Sequence, residues 1–230
     1  MSLKYAKSEG VTLVGGGALD RATLERALHR APHLVAADGG ADRALALGRM
    51  PDLAVGDMDS LSDRARDALG PDRLRRDNDQ ETTDFDKALA VIDAPLVLAV
   101  GFSGARLDHT LAAMGTLARH PDRRVILDTG HDLCLLAPPR LALDLAPGTR
   151  VSLFPLAPMS CASTGLRWQT DPLHFDPLGR IGTSNETAAP RITLTPARPA
   201  MLLLLPVVAL DALLTGMSSA PAWPAPAHAR

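Results

Sequence analysis

Cysteine is scarce in this 230-residue chain. Cys134 and Cys161 form no Cys-x-x-Cys pair, so neither a disulfide framework nor a zinc site is indicated. No excess of one charge exists either: the formal net charge is −2, which gives no electrostatic case for nucleic acid or an anionic membrane as partner. Lysine occurs only at positions 4, 7 and 87, never after a glycine, and this excludes the Gly-Lys-Ser/Thr of a P-loop. Gly15 to Asp20 does not complete Gly-x-Gly-x-x-Gly, so a dinucleotide-binding fold is not expected. His109 lacks a His-Glu-x-x-His partner and reads as a packing or hydrogen-bonding residue. No internal repeat is found. Long apolar runs are missing as well. The run from Ala200 to Leu210 is interrupted by Pro206 and followed by Asp211, far short of the roughly 20 residues of a spanning helix. It is expected to be a buried strand. Met1 to Gly10 carries no apolar run, and the expected location is cytoplasmic.

What is present is the balance of a soluble globular protein, 46% apolar and 22% charged, with length enough for a proper core. Short apolar runs at Val11 to Val14, Leu34 to Ala37, Leu53 to Val55, Leu96 to Val100, Val125 to Leu127 and Leu133 to Ala137 read as strands. Helical stretches separate most of them, with Asp20, Ser62 or Asp63, and Thr82 or Thr83 as candidate caps. Alternating strand and helix predict an α/β domain with a mainly parallel sheet over residues 1–138. After Pro138-Pro139 the pattern changes to alternating apolar residues (Leu141, Leu143, Leu145) broken by proline and glycine. This predicts a small all-β sandwich over 139–214. The Pro/Ala-rich end, 215–230, is expected to be a disordered tail.

Acids follow several of the strands. Asp57 and Asp59 are two apart in an extended stretch, which turns both carboxylates to one side. Two carboxylates converging on one point suit magnesium, which takes one or two of them together with substrate phosphates. A solvated turn is the alternative. Each further element also has a plain reading. Asp38-Gly39-Gly40 can be a strand-to-helix turn, Asp84 and Asp86 acids in a first helical turn, Arg106 and Asp108 a surface pair. Trp168 can be core and Ser184-Asn185 a turn. Yet Asp38, Asp57 with Asp59, and Arg106 with Asp108 all lie just beyond strand ends, and open α/β sheets bind ligands there.

Taken in order, the blocks Ala37-Asp38-Gly39-Gly40-Ala41, Gly56-Asp57-Met58-Asp59-Ser60, Asp79-Gln80, Thr83-Asp84-Phe85-Asp86-Lys87-Ala88-Leu89 and Gly104-Ala105-Arg106-Leu107-Asp108-His109 resemble the thiamine pyrophosphokinase family. Ser163-Thr164-Gly165-Leu166-Arg167-Trp168 and Gly182-Thr183-Ser184-Asn185-Glu186 extend the resemblance over about residues 11 to 212. It implies a homodimer with active sites at the subunit interface. The reaction implied moves the terminal diphosphate of ATP to the hydroxyethyl group of thiamine, giving thiamine diphosphate and AMP. By the same resemblance Asp57, Asp59 and Asp84 hold magnesium and, with Arg106 and Asp108, form the catalytic set. Asp38, Gly39, Gln80, Thr83, Lys87, Arg106 and Asp108 line the ATP site. Trp168, Thr183, Ser184 and Asn185 bind thiamine. Contacts in Asp171 to Arg180 stay unassigned. Two rivals remain open: a magnesium-dependent diphosphokinase acting on another alcohol, such as a pterin, and a non-catalytic nucleotide or thiamine sensor.

Overall fold

The computed structural model describes residues 4–104 and 106–226. Ala105, within the Arg106 motif, and the last four residues of the expected tail lie outside the described residues. The chain divides into two compact units, Met1–Thr116 with Val125–Gly130, and Leu117–Arg124 with His131–Arg230. The division thus falls earlier than the Pro138-Pro139 pair suggests.

The first unit runs β1 (Tyr5–Ala6), β2 (Val11–Val14), α1 (Arg21–Leu28), β3 (His33–Ala37), α2 (Gly40–Ala46), β4 (Leu53–Gly56), α3 (Asp63–Leu69), β5 (Leu74–Arg76), α4 (Asp84–Val91), β6 (Ile92–Asp93), β7 (Val97–Val100), α5 (Leu107–Arg119, of which the residues from Leu117 on count with the second unit) and β8 (Val125–Asp128). Its ladders are parallel: β2 with β7, β7 with β8, β3 with β4, and β4 with β5. A bridge from Val11 to Pro32 ties β2 to the approach of β3. Every residue of β2, β7 and β8 is buried, as a sheet covered on both faces requires. The chain builds β3 to β5 on one side of β2 and returns on the other with β7. That reversal opens a crevice at the carboxyl ends of the strands.

The caps fall where the residue types place them. Asp20 Oδ1 accepts from Thr23 N–H at 2.7 Å, and Ser62 Oγ from Ala65 N–H at 3.1 Å. Thr83 and Asp86 form a capping box on α4. Helix α2 lies close to the sheet because its contacts are small: Ala36, Ala41 and Ala54 share a buried cluster with Met58, Leu61, Ala65 and Leu69. Gly40 marks the closest approach, where a Cβ would stand 2.0 Å from the Val14 carbonyl oxygen.

The second unit contains β9 (Asp132–Leu136), β10 (Leu141–Asp144), β11 (Arg150–Pro155), β12 (Met159–Thr164), β13 (His174–Phe175), β14 (Gly182–Glu186), β15 (Arg191–Pro196), β16 (Met201–Pro206) and α6 (Leu210–Ser219). Two antiparallel arrays form, β14-β11-β16-β9 and β10-β15-β12-β13. Strand β12 buries Met159, Cys161 and Ser163 and exposes the residues between, the alternation of a sheet with one packed face. The run expected as a strand is β16. The expected tail needs correction. Residues 210–219 are helical, taking the last five residues of the expected all-β stretch and the first five of the expected tail and burying Leu210, Leu213 and Met217 at helical spacing, and Trp223 Nε1 donates to the Ala137 carbonyl at 2.9 Å. The proline- and alanine-rich stretch that follows masked a short amphipathic helix. Among the described residues no helix is long and apolar enough to cross a membrane.

Gly40→Ala is expected to lower stability by about 3 kcal/mol or more, since the added methyl meets rigid backbone. Gly48→Ala, at φ +77° with nothing within 4 Å of a Cβ, is expected to cost about 1 kcal/mol from conformation alone. Urea midpoints of the two variants check this; equal shifts would contradict the close approach of α2 to β2.

Candidate active site

The loops leaving β3 and β4 build the site. Met58 is buried in the cluster beneath α2 and α3, and anchoring it turns its neighbours Asp57 and Asp59 away from the core. Asp38 and Met58 adopt φ of 43° and 68°, left-handed conformations that non-glycine residues keep only where the surroundings hold them. Gly56 gives the room: a Cβ there would lie 2.8 Å from Asp38 Cβ and 3.1 Å from Asp84 Oδ1. As a result Asp38, Asp57 and Asp59 each bring one carboxylate oxygen within 4.8 Å of the others. Asp38 is buried. Its Oδ2 accepts from Ser60 N–H at 3.0 Å, while Oδ1 has no hydrogen-bond partner among the described residues. The loop is pinned by Arg66 donating to the Met58 carbonyl and Arg76 to the Asp57 carbonyl, each at 3.1 Å. Ser62 N–H, donating to Asp42 Oδ2 at 3.0 Å, ties its far end to α2.

Asp84, at the start of α4, faces Lys87. The ammonium lies 3.2 Å from Asp84 Oδ1 and 3.6 Å from Asp57 Oδ2. Burial pushes the Asp38 carboxyl up to about 6, with Asp84's charge adding to it and the Ser60 N–H opposing. Burial also raises Asp84, against the pull of Lys87. Asp57 goes the other way. Desolvation is its largest influence, but the Asp59 N–H, Lys87 and Gln80 together hold it below the ordinary value. Crowded oxygens and an unpartnered buried carboxylate oxygen fit a hard divalent cation of the magnesium class. The expected metal set and the observed triad differ by one residue: Asp38 joins Asp57 and Asp59, and Asp84 pairs with Lys87.

The other expected nucleotide residues are placed variously. Gln80 reaches Asp57. Gly39 precedes α2 without a side-chain cap. Thr83 is engaged with Asp86, accepting from its N–H at 3.2 Å and donating to its carboxylate at 2.6 Å. Arg106 and Asp108 pair with each other at 2.6 Å and are largely exposed, 69% and 65%. Two glycine stretches were not assigned a role from sequence. Gly15 and Gly17 pack on the loop after β7, donating to the Val100 and Gly101 carbonyls at 2.8 and 2.7 Å. A Cβ on either would stand 2.6 Å from the Gly101 oxygen. Their signal was present, a glycine run directly after a buried strand, but it matched no phosphate-binding pattern.

Within the second unit, Trp168, Thr170, Leu173, Phe175, Arg180, Thr183 and Asn185 line much of a hollow of about 200 Å³. Asn185 is buried and grips the tryptophan's backbone: its Nδ2 donates to the Trp168 carbonyl at 2.7 Å, and its Oδ1 accepts from Trp168 N–H at 3.2 Å. One amide hydrogen remains for a ligand. The Arg167 guanidinium lies 4.8 Å from the Trp168 ring centre and is tied to Glu186 at 2.7 Å. Ser184, at φ 60°, gives its N–H to Ser152 Oγ at 3.0 Å. The segment left unassigned from sequence supplies Leu173, Phe175 and Arg180.

A family model described as thiamin pyrophosphokinase, catalytic domain, matches residues 24–127. Thiamine pyrophosphokinase 1 of Arabidopsis thaliana is 30% identical over 191 residues, covering 68% of this chain and 72% of the relative. This chain belongs to the thiamine pyrophosphokinase family. A second relative, thiamine pyrophosphokinase 1 of Oryza sativa subsp. japonica, is 28% identical over 200 residues, covering 71% and 76%. The solved thiamin pyrophosphokinase of Candida albicans superposes with a TM-score of 0.72 at 18% identity, over 86% of this chain and 89% of that one. That of Bacillus subtilis gives 0.69 at 20%, over 86% and 98%. At these identities the likeness shows the shared thiamine pyrophosphokinase fold. Members of the family are transferases, and so is this enzyme.

Asp38 links this thiamine pyrophosphokinase fold to pH. An acid whose folded value lies above its unfolded 3.8 disfavours folding once ionised. The penalty is absent below 3.8, grows towards 6 and is complete above it. Without divalent cations, Asp38→Asn, which keeps an acceptor for Ser60, is expected to raise Tm at pH 8 and to lose that gain by pH 4. Thermal melts in chelator at both pH values check this; a pH-independent gain would contradict it.

Proposed function

We propose that this enzyme transfers the terminal diphosphate of ATP to the hydroxyethyl oxygen of thiamine, releasing thiamine diphosphate and AMP with magnesium as cofactor. The observation that carries the reading is the convergence of Asp38, Asp57 and Asp59 beside Lys87 at the carboxyl edge of a parallel sheet. In this reading Asp57 and Asp59 hold magnesium, with Asp38 or Asp84 completing the set. A magnesium ion held by these carboxylates would supply positive charge to offset the charge developing on the departing AMP.

The chain's own groups do the rest. Gly39, Gln80 and Thr83 lie along the nucleotide, Lys87 stands behind the carboxylates that face it, and Arg106 exchanges Asp108 for a bidentate grip on phosphate. Thiamine enters the hollow beside Trp168, with Thr183, Ser184 and the remaining Asn185 amide hydrogen as polar contacts. Its hydroxyl oxygen bonds to the β-phosphorus, the bond from that phosphorus to the α–β bridging oxygen breaks, and a carboxylate of the cluster takes the hydroxyl proton. Positioning and electrostatics carry such transfers, so no histidine base is needed. The proposal includes a homodimer with active sites at the subunit interface, a cytoplasmic location, and no nucleic-acid or membrane partner.

AMP release in mixtures of protein, ATP, magnesium and either thiamine or a pterin alcohol tests the reading. Thiamine-dependent AMP is expected. Pterin-dependent AMP would favour the other diphosphokinase, and saturable binding without AMP a sensor. Asp59→Asn is expected to cut turnover about a hundredfold or more with Tm nearly unchanged. Trp168→Ala is expected to raise KM for thiamine about tenfold and leave that for ATP alone. Equal effects on both substrates would make the tryptophan structural.

A further inference from the structure

Lys87 is the most deeply buried cation at the site. Its side chain is 3% exposed on α4, held by Asp84 and Asp57, and Asp77 also acts on it electrostatically. A lysine that reaches for a triphosphate is useful when its ammonium is free to turn towards solvent. This one is sheltered and already paired with two carboxylates. Asp57 is the hinge of the arrangement. One of its oxygens lies 3.6 Å from the Lys87 ammonium, and it is also a member of the triad with Asp38 and Asp59. A divalent cation entering that triad therefore shares Asp57 with a resident positive charge. Like charges a few ångströms apart in a partly buried site repel strongly enough to move a binding constant tenfold or more.

We propose that Lys87 is a resident counter-ion that holds Asp57 and Asp84 in place and weakens the site's grip on a free divalent cation. The cation then binds tightly only when a nucleotide's phosphates add ligands and negative charge. Cation and nucleotide affinities rise together, each by the same factor. Lys87 is thus a positioning residue rather than a phosphate ligand, and this inference rests on the magnesium reading above.

Manganese titration of the nucleotide-free protein, followed by the paramagnetic signal of the unbound ion, tests it without turnover. Lys87→Met is expected to bind manganese at least tenfold more tightly than the parent, and Lys87→Arg within about twofold of it. Manganese should also raise the Tm of Lys87→Met more than that of the parent. Unchanged or weaker binding in Lys87→Met overturns the proposal, because a lysine that only packs or grips phosphate would not improve cation binding by leaving. If Lys87→Met does not fold, Lys87→Gln, which keeps a donor for Asp84 without the charge, is read by the same two outcomes. Parent protein with manganese and an unreactive ATP analogue separates the two levels. No manganese bound there means that the magnesium reading fails. Manganese bound there, with no gain in the neutral variant, means that the counter-ion proposal alone fails.

Discussion

Carboxylates repel, and a fold that gathers them must hold them against that repulsion. Here Asp38, Asp57 and Asp59 come within 4.8 Å of one another, with Asp84 close behind and Lys87 between. Neither Coulomb energy nor solvation favours this arrangement in the absence of a cation. It persists because the backbone leaves little choice. Met58 is locked in apolar packing, Gly56 admits two side chains where a methyl would not fit, and neighbouring arginines hold the loop's carbonyls. Stability spent on such a cluster is a common cost of function.

Close packing elsewhere in the first unit serves the same end. Alanines and glycines bring α2 against the sheet, so its N-terminal turn and the loops after β2, β3 and β4 crowd one edge. The glycines at 15, 17 and 101 allow two loops to touch along their backbones, which larger residues would force apart. The second unit uses another device. A buried amide, Asn185, grips both backbone polar atoms of Trp168, so a half-exposed indole is presented from a rigid mount.

Much of this was readable in advance. Runs of Val, Leu and Ala bounded by Gly, Asp or Pro marked the buried strands, and capping residues marked the starts of three helices, Asp20 outright and Ser62 and Thr83 each as one of two neighbouring candidates. The acids at 57 and 59 do converge, though not by the extended geometry expected of residues two apart: β4 ends at Gly56 and Met58 takes a φ of 68°, so a left-handed turn brings them together. The terminal helix was not read, since its proline- and alanine-rich surroundings outweighed three apolar residues at helical spacing. Arg106 and Asp108 were open to a plain reading as a surface pair, and in the fold each does occupy the other.

The order of residues along the chain was enough for the alternating architecture, the family and the chemical character of the site, because these depend on local periodicity and on which groups follow which strand. Which carboxylates share a point was settled by folding alone. Asp38 is nineteen positions from Asp57, and no local rule relates them. They meet because β3 and β4 pair in parallel, with Ala37 opposite Val55, so both strands deliver their next residues to the same edge. Lys87 meets Asp84 within one helix, three positions apart, but reaches Asp57 only because α4 and the loop after β4 are held side by side.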